Sequence, residues 1–353
     1  MARRILHTAL GLLVLLAPLN LRAADTLQWS GFALLRGASA PDDLPLRSDS
    51  VSAQAQLGID WRPSPFFGAH LHLLARSEDD HSQRGHAGIV QAYLEQKFTN
   101  HLRFMEGAFF LPTSRENVDE LWESPYSITP SALNSWMGEE LRPIGVDASY
   151  SAHGLLGGVT LFRGNDTFGA LPASRGWDIR DHWTTLGEHL PVDDTYFSSV
   201  SAETDGRIGW SARGRWNNDH AMLQLTHIDN RSDAEDHGDL LNWETRFDIA
   251  GADYTINDWT LAAESGWGKT QVIFYNAVYP TDVRASYALL SRRFNTARAT
   301  LRVESFQSGT VHQHAVTAAF FWTPLPKLRA GLEATKAGAQ RRVMAELRYR
   351  FSR

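Results

Sequence analysis

The sequence of 353 residues contains no cysteine. A chain without thiols has no disulfide framework, no thiolate metal site and no cysteine nucleophile. The HExxH pattern of zinc proteases and the GxSxG pattern of serine hydrolases are also missing. We therefore expect no cofactor, no metal and no enzyme activity.

Long apolar runs are nearly absent as well. The single run lies within residues 1–23, behind Arg3 and Arg4, and predicts a secretory signal peptide that ends at small residues. No later run reaches the ~20 apolar residues that a transmembrane helix needs, which excludes a helical membrane protein. The net charge of -6 gives no support for a nucleic-acid partner.

The pattern that fills the rest of the chain has a period of two. Residues 51–62 read VSAQAQLGIDWR, with apolar and polar side chains in strict alternation, and residues 341–351, RRVMAELRYRF, do the same. This alternation predicts strands with one apolar and one polar face. Sixteen such segments begin near residues 27, 51, 66, 87, 101, 140, 154, 207, 220, 241, 259, 284, 296, 313, 327 and 341.

Each segment is about ten residues long, the length of a tilted strand that crosses a bilayer. The connections alternate strictly between tiny turns and longer loops, which is typical of an outer-membrane barrel with short periplasmic turns. The sequence therefore predicts an all-β, antiparallel, up-and-down transmembrane barrel over residues 24–353, in the bacterial outer membrane. Residues 194–203, DTYFSSVSAE, offer a further hairpin and leave eighteen strands as an alternative.

Arginines recur on the polar faces of these strands. A charge that faces lipid at the midplane costs about 2–4 kcal/mol, so we expect the side chains to point into the lumen, where they favour anions. An internal salt-bridge network is the alternative. The predicted lumen-lining charges are Arg62, Arg76, Arg103, Arg213, Arg215, Arg246, Arg302, Arg329, Arg342, Arg348 and Arg350.

Residues 111–150, LPTSRENVDELWESPYSITPSALNSWMGEELRPIGVDASY, resemble a motif of proteobacterial outer-membrane porin-like proteins. The sixteen-strand plan is similar to that of general porins and of the phosphate-selective porin O and P group. The resemblance implies a trimeric diffusion channel whose third outer loop, residues 112–139 here, folds into the lumen and narrows it. Phosphate selectivity is not expected, because Arg115 is the one basic residue of this loop.

Within the third loop, TPSALNSW predicts a short helix with Thr129 as its N-cap and Pro130 at its first position. The loop's carboxylates are expected to face Arg213, Arg215, Arg246 and Arg302 across the pore. Its aromatic side chains either anchor the loop or contact solute. The predicted constriction residues are Arg115, Glu116, Asp119, Glu120, Trp122, Glu123, Tyr126 and Trp136.

These patterns favour a water-filled channel for small hydrophilic, anionic solutes. Outer-membrane lipid and lipopolysaccharide are the expected surroundings of the barrel, and its acidic outer loops could bind divalent cations. Two other functions stay open. A non-conducting structural or adhesin barrel would use the long loop at residues 164–206, and an outer-membrane lipid or ester hydrolase would use a serine and a histidine of the barrel.

Overall fold

The computed structural model describes residues 26–39, 49–77, 86–192, 195–238 and 240–352. The predicted signal peptide, residues 1–23, lies outside this part of the chain. No helix in the described residues is long and apolar enough to span a membrane.

The described residues form twenty strands and two helices. The helices are α1 (Ala132–Glu140) and α2 (Ala170–Ser174). The strands are β1 (Leu27–Ser39), β2 (Asp49–Ser64), β3 (Phe67–Arg76), β4 (His86–Lys97), β5 (Leu102–Ala108), β6 (Ile144–Ala152), β7 (Leu155–Arg163), β8 (His189–Pro191), β9 (Phe197–Ser199), β10 (Gly209–Asn217), β11 (Ala221–Asp229), β12 (Asp236–His237), β13 (Leu240–Leu241), β14 (Glu244–Ile256), β15 (Trp259–Phe274), β16 (Ala277–Phe294), β17 (Ala297–Ser308), β18 (Val311–Leu325), β19 (Leu328–Ala337) and β20 (Gln340–Ser352).

Sixteen of these strands close into one antiparallel barrel, and β1 completes the ring by pairing with both β2 and β20. Closure leaves no unpaired sheet edge, which a strand in hydrocarbon could not tolerate. The predicted sixteen-strand barrel is confirmed. The eighteen-strand alternative is wrong, because β9 lies in a separate four-stranded sheet with β8, β12 and β13.

Two connections between barrel strands are long and carry both helices. The third loop (residues 109–143) joins β5 to β6, and the fourth loop (residues 164–208) joins β7 to β10. At the opposite end of the barrel the connections are short turns, such as residues 98–101 and 257–258. The predicted parity of short and long connections holds as far as β14, but the outer connections β15–β16, β17–β18 and β19–β20 are two-residue turns at 275–276, 309–310 and 338–339. The prediction of strict parity is therefore wrong for the last third of the barrel, because these strands continue beyond the predicted ends.

Alternation along each strand separates two environments. In β1 the side chains of Phe32 and Leu34 are buried inside the barrel, whereas Leu35 is 58% exposed on its outer surface. In β17 the inward-facing Arg302 and Glu304 are buried, while Val303 between them is exposed. Exposed Leu, Val, Phe, Trp and Tyr side chains recur around the outer surface, as expected of a surface that meets lipid.

The prediction that Arg246 lines the lumen is wrong. Its neighbour Phe247 is fully buried inside the barrel, and Arg246 points outward, where it pairs with Glu244 at 2.9 Å and with Asp229 at 3.4 Å. The reason is that this part of the barrel contains packed protein instead of water. The apolar face of β14 therefore turns inward, and Trp136 of α1 packs on Phe247 at a ring distance of 4.9 Å.

We predict that Val303→Arg destabilises the barrel by about 2–4 kcal/mol, because Val303 lies in the middle of the exposed apolar surface. The matched control is Val278→Arg, which adds the same charge on the outward face beside the outer turn at residues 275–276 and should cost about 0–1 kcal/mol. Folding free energies measured in phospholipid vesicles give both values. Equal costs at the two positions would contradict the assignment of this surface to the bilayer.

Candidate functional site

The third loop lies inside the barrel, and α1 is its central element. All nine residues of α1 are buried. Ser131 caps the helix by accepting a hydrogen bond from the backbone N–H of Asn134, so the prediction that Thr129 is the N-cap is wrong. Thr129 instead donates its hydroxyl to Glu333 of β19 at 2.6 Å, which ties the segment before the helix to the barrel wall.

Arg302 of β17 holds the third loop to the wall. Its side chain is fully buried and pairs with Glu116 of the loop at 2.9 Å and with Glu304 of its own strand at 2.7 Å. The same guanidinium donates to the backbone oxygens of Thr129 and Pro130. The predicted pairing of Arg302 with a loop carboxylate is therefore present. Both side chains are fully buried, and each guanidinium nitrogen of Arg302 donates a hydrogen bond.

A second set of ion pairs holds the loop to β20. Glu123 is buried between Arg348 and Arg350, and its distance to Arg350 is 2.5 Å. Asp119 pairs with Arg350 at 3.4 Å. Two other predicted site residues have partners elsewhere than β20. Glu120 is exposed and lies near Asp60 of β2, and Arg115 pairs with Asp253 of β14. Partial desolvation and the charge of Asp60 raise the pKa of Glu120.

The aromatic residues of the loop divide into anchors and one lining residue. Trp122 stacks on Phe110 at 4.2 Å, and Trp136 stacks on Phe168 at 4.5 Å. Trp122 also adopts a left-handed backbone conformation, with φ 61°, which its packing must stabilise. Tyr126 is only partly buried and lies under the guanidinium of Arg298, so it is the one predicted aromatic that borders open space.

The fourth loop also folds into the barrel, which the sequence analysis missed. Asp181 bridges to Arg36 of β1 at 2.6 Å, and Glu188 pairs with Arg76 of β3. The indole N–H of Trp177 donates to a backbone oxygen of β17 at 2.7 Å. Arg342 of β20 donates to another backbone oxygen of the loop. The loop thus spans the barrel mouth from β1 and β3 to β17 and β20.

The two inserted loops contact each other closely. Gly138 of α1 lies against the indole of Trp183, and a Cβ at this glycine would come within 1.4 Å of the ring. Glu139 pairs with Arg180 at 2.6 Å. Glu140 accepts hydrogen bonds from the N–H groups of Gly169 and Leu171 at the start of α2. The third and fourth loops therefore form one packed unit.

Two carboxyl groups of the inserted loops have shifted pKa values. Burial raises the pKa of Glu140 to about 7, against hydrogen bonds from Ser198, Trp136 and the start of α2 that lower it. For Glu188, burial alone would raise the pKa, but the hydrogen bond from His182 and the ion pair with Arg76 lower it below its usual value. Glu188 therefore stays ionised at neutral pH, whereas Glu140 titrates near it.

The inserted loops pack against the inner wall of the barrel. Every barrel strand presents at least one inward-facing side chain that is less than 9% exposed. In strand order these residues are Phe32, Gln56, His72, Gln91, Met105, Asp147, Thr160, Arg213, Thr226, Ile249, Glu264, Tyr287, Arg302, Thr317, Glu333 and Arg348. Among the described residues, packed protein therefore lies against every strand of the barrel wall.

The short-turn end of the lumen is open. Arg62, Arg103 and Arg350 are inward-facing and substantially exposed there, and Arg215 is partly exposed. Deeper in the barrel, the other predicted lumen arginines are bound to protein groups. Arg213 forms two hydrogen bonds with Asp147. The other arginines that bind protein groups are Arg76, Arg302, Arg329, Arg342 and Arg348. An ion-pair network therefore occupies the packed part of the lumen, although the Nε atoms of Arg329 and Arg342 are buried there without a hydrogen-bond partner.

One acidic group among the described residues has the spacing of a cation site. Oxygens of Asp166, Glu203 and Asp205 lie within 4.8 Å of one another in the fourth loop. Hydrogen bonds from the loop already reach these carboxylates, for example from the backbone N–H of Thr204 to Asp166 at 2.6 Å. Burial, with the charges of Asp205 and Glu203, raises the pKa of Asp166 to about 6. The cluster therefore holds the start of the fourth loop, at Asp166, against residues 203–205 near its end.

No protein-family model matches the chain, and no curated protein sequence matches it. Solved structures of outer-membrane barrels do match its fold. The trimer form of OmpT, an outer-membrane protein of Vibrio cholerae, has a TM-score of 0.62 at 10% identity over 92% of this chain and 99% of that one. A variant of the Rh. blastica porin has a TM-score of 0.54 at 12% identity over 92% and 100%. At these identities the likeness establishes the fold alone, that of a sixteen-stranded outer-membrane barrel.

We predict that Arg302→Ala releases the third loop and costs about 3–5 kcal/mol, because it leaves Glu116 and Glu304 buried without their partner. The control is Arg350→Ala, which removes a half-exposed arginine and should cost about 1 kcal/mol or less. Urea unfolding in vesicles measures the loss of unfolding free energy in both variants. Similar losses in the two variants would show that the buried pair does not hold the loop.

Glu140 predicts a pH dependence of the packed loops. Its pKa is about 7 in the fold and 4.5 in the unfolded chain, so its contribution to stability is complete below pH 4.5 and is lost as the pH rises through 7. We expect the wild type to lose about 2–3 kcal/mol between pH 4.5 and pH 8 relative to Glu140→Gln, which cannot ionise. Unfolding free energies at the two pH values test this, and parallel pH profiles would refute it.

Proposed function

We propose that the protein is an outer-membrane channel for small hydrophilic, anionic solutes, which is closed in the described conformation by the third and fourth loops. The observation that carries the proposal is the polar, arginine-lined lumen beneath an inserted loop. A wall that only packs against protein needs no exposed charges, yet Arg62, Arg103 and Arg350 reach solvent at the short-turn end. Exposed cations of this kind attract anions into an aqueous vestibule.

Opening requires movement of the inserted loops. The fourth loop covers the outer side of α1, and polar contacts such as Asp181 with Arg36 and Glu188 with Arg76 hold it. Contacts between polar groups can be exchanged for water when the fourth loop leaves, although Phe168 and Trp183 must also separate from Trp136 and Trp122. The packing of Trp136 on Phe247 of β14 favours retention of the third loop. We therefore assign the third loop as the constriction and the fourth loop as its outer cover.

The same proposal specifies the cellular location of the barrel and its assembly. The barrel would cross the bacterial outer membrane many times, surrounded by lipid and lipopolysaccharide, after removal of the predicted signal peptide. A homotrimer is part of the proposal because one of the similar barrels is described as a trimer. No cofactor, nucleic acid or catalytic residue enters this function.

A non-conducting barrel is the second candidate, and the complete burial of α1 favours it. Such a protein would use its loops for structure or adhesion. An outer-membrane lipid or ester hydrolase remains the enzymatic alternative, and assays of the refolded protein on phospholipid and ester substrates test it. Channel recordings separate the first two candidates.

We predict that the full chain gives discrete current steps in planar bilayers and that anions carry most of the current under a salt gradient. Replacing residues 170–185 by a short Gly-Ser linker should raise the step size severalfold, because it removes the cover over α1. Excising residues 116–137 should do so as well and should weaken solute selectivity. Folded samples that give no steps in any variant would establish the non-conducting barrel, and clear cation selectivity would refute the anionic solute.

A further inference from the structure

A groove lies on the outer surface of the barrel, where the first and last strands meet. It crosses β18, β19, β20, β1 and β2 and has a volume of about 510 Å³. The small residues Gly37, Ala330 and Ala345 form its floor, and a Cβ at Gly37 would meet no atom within 4 Å. The large, exposed side chains that border the floor are Leu35, Val51, Phe320, Trp322, Leu332 and Leu347. We name this feature the outer groove.

Strand register brings the small residues of the outer groove together. Ala345 is the register partner of Gly37 on one side and of Leu332 on the other, and Ala330 lies opposite Leu347. Lipid tails are as apolar as this wall, so close packing decides which group stays in the groove. A flexible hydrocarbon chain can follow the strip of glycine and alanine between the large side chains. The outer groove therefore fits an acyl chain.

Two basic residues lie above the outer groove, at the outer rim of the barrel. Lys336 of β19 and Arg341 of β20 are register partners, and both are exposed on the outward face beside the turn at residues 338–339. We name them the basic pair. Along the two strands they are four residues from Leu332 and Ala345, a distance of about 13 Å at a rise of about 3.3 Å per residue. Basic side chains in this position reach lipid head groups.

The basic pair has no anionic partner in the described part of the chain. No carboxylate there pairs with Lys336 or Arg341, and the register partner of Lys336 on β18 is the apolar Val316. Arg342, the next residue along β20, points inward and donates to a backbone oxygen of the fourth loop. Like charges directly opposite each other on neighbouring strands destabilise a sheet. The basic pair therefore favours an external anion that lies between its two side chains.

We infer that the outer groove and the basic pair bind one molecule of lipopolysaccharide through its lipid A part, with a phosphate between Lys336 and Arg341 and an acyl chain in the groove. A phosphate monoester carries nearly two negative charges at neutral pH and therefore matches two cations. A zwitterionic phospholipid, by contrast, brings a cation of its own. The inference rests on the outer-membrane location proposed above, and it does not require that the barrel conducts.

Native mass spectrometry of the detergent-folded full chain measures the binding of lipid A, with phosphatidylethanolamine as the zwitterionic reference. We expect saturable binding of one lipid A molecule per chain, and affinity for phosphatidylethanolamine that is about tenfold lower. The double variant Lys336→Gln/Arg341→Gln should weaken lipid A binding about tenfold or more, and Ala345→Trp, which fills the groove, about fivefold. The matched controls are Arg284→Gln and Ala288→Trp on the outward face of β16, and each should change the affinity less than about twofold.

Several results would overturn the lipid site. Equal binding of the two lipids, or no saturable binding of lipid A, would do so, and so would equal losses in the groove variants and the β16 controls. If Ala345→Trp changed the number of chains per particle and left the lipid affinity unchanged, the groove would be a contact between subunits instead. The proposed channel fails separately, if a protein that binds lipid A at this site gives no current steps. Heat-dependent mobility on gels confirms that each variant is folded.

Discussion

The structure depends on ion pairs between arginines of the barrel wall and carboxylates of the loops that enter it. Arg302 is the clearest case, because it is fully buried and its partners, Glu116 and Glu304, are buried with it. Taking such charges out of water is costly, and the cost is recovered only when every group is paired. The loop must therefore adopt the one arrangement that satisfies Arg302.

This constraint extends through both inserted loops. Once α1 is held against β17 and β19, Glu140 presents its oxygens to the start of α2, and Trp183 fits against Gly138. The fourth loop then spans the mouth and binds Arg36 and Arg76 on the far wall. A barrel that would otherwise enclose water thus acquires a core of its own. Function as a channel requires that part of this core can move out of the lumen.

The sequence predicted the barrel well because lipid on one side and polar groups on the other impose a period of two. The alternation in β2 and β20 therefore located strands with almost correct ends. It failed at Arg246, since the interior there is packed protein and the apolar face of β14 turns inward. The insertion of the fourth loop was not predictable, because Arg180, Asp181 and Glu188 resemble the residues of a solvated loop until their distant partners are known. The pairing of Glu116 with Arg302 joins residues 186 positions apart, and only the closed sheet brings them together.

Hydrogen exchange of α1 tests the central claim, that the inserted loops form a packed core inside the barrel. The full chain would be placed in lipid nanodiscs, and exchange of the amides in Ala132–Glu140 would be compared with exchange in β17 by mass spectrometry. The account predicts that α1 is protected nearly as strongly as β17, because both are held through Arg302. Exchange of α1 within seconds, at the rate of an exposed loop, would contradict it.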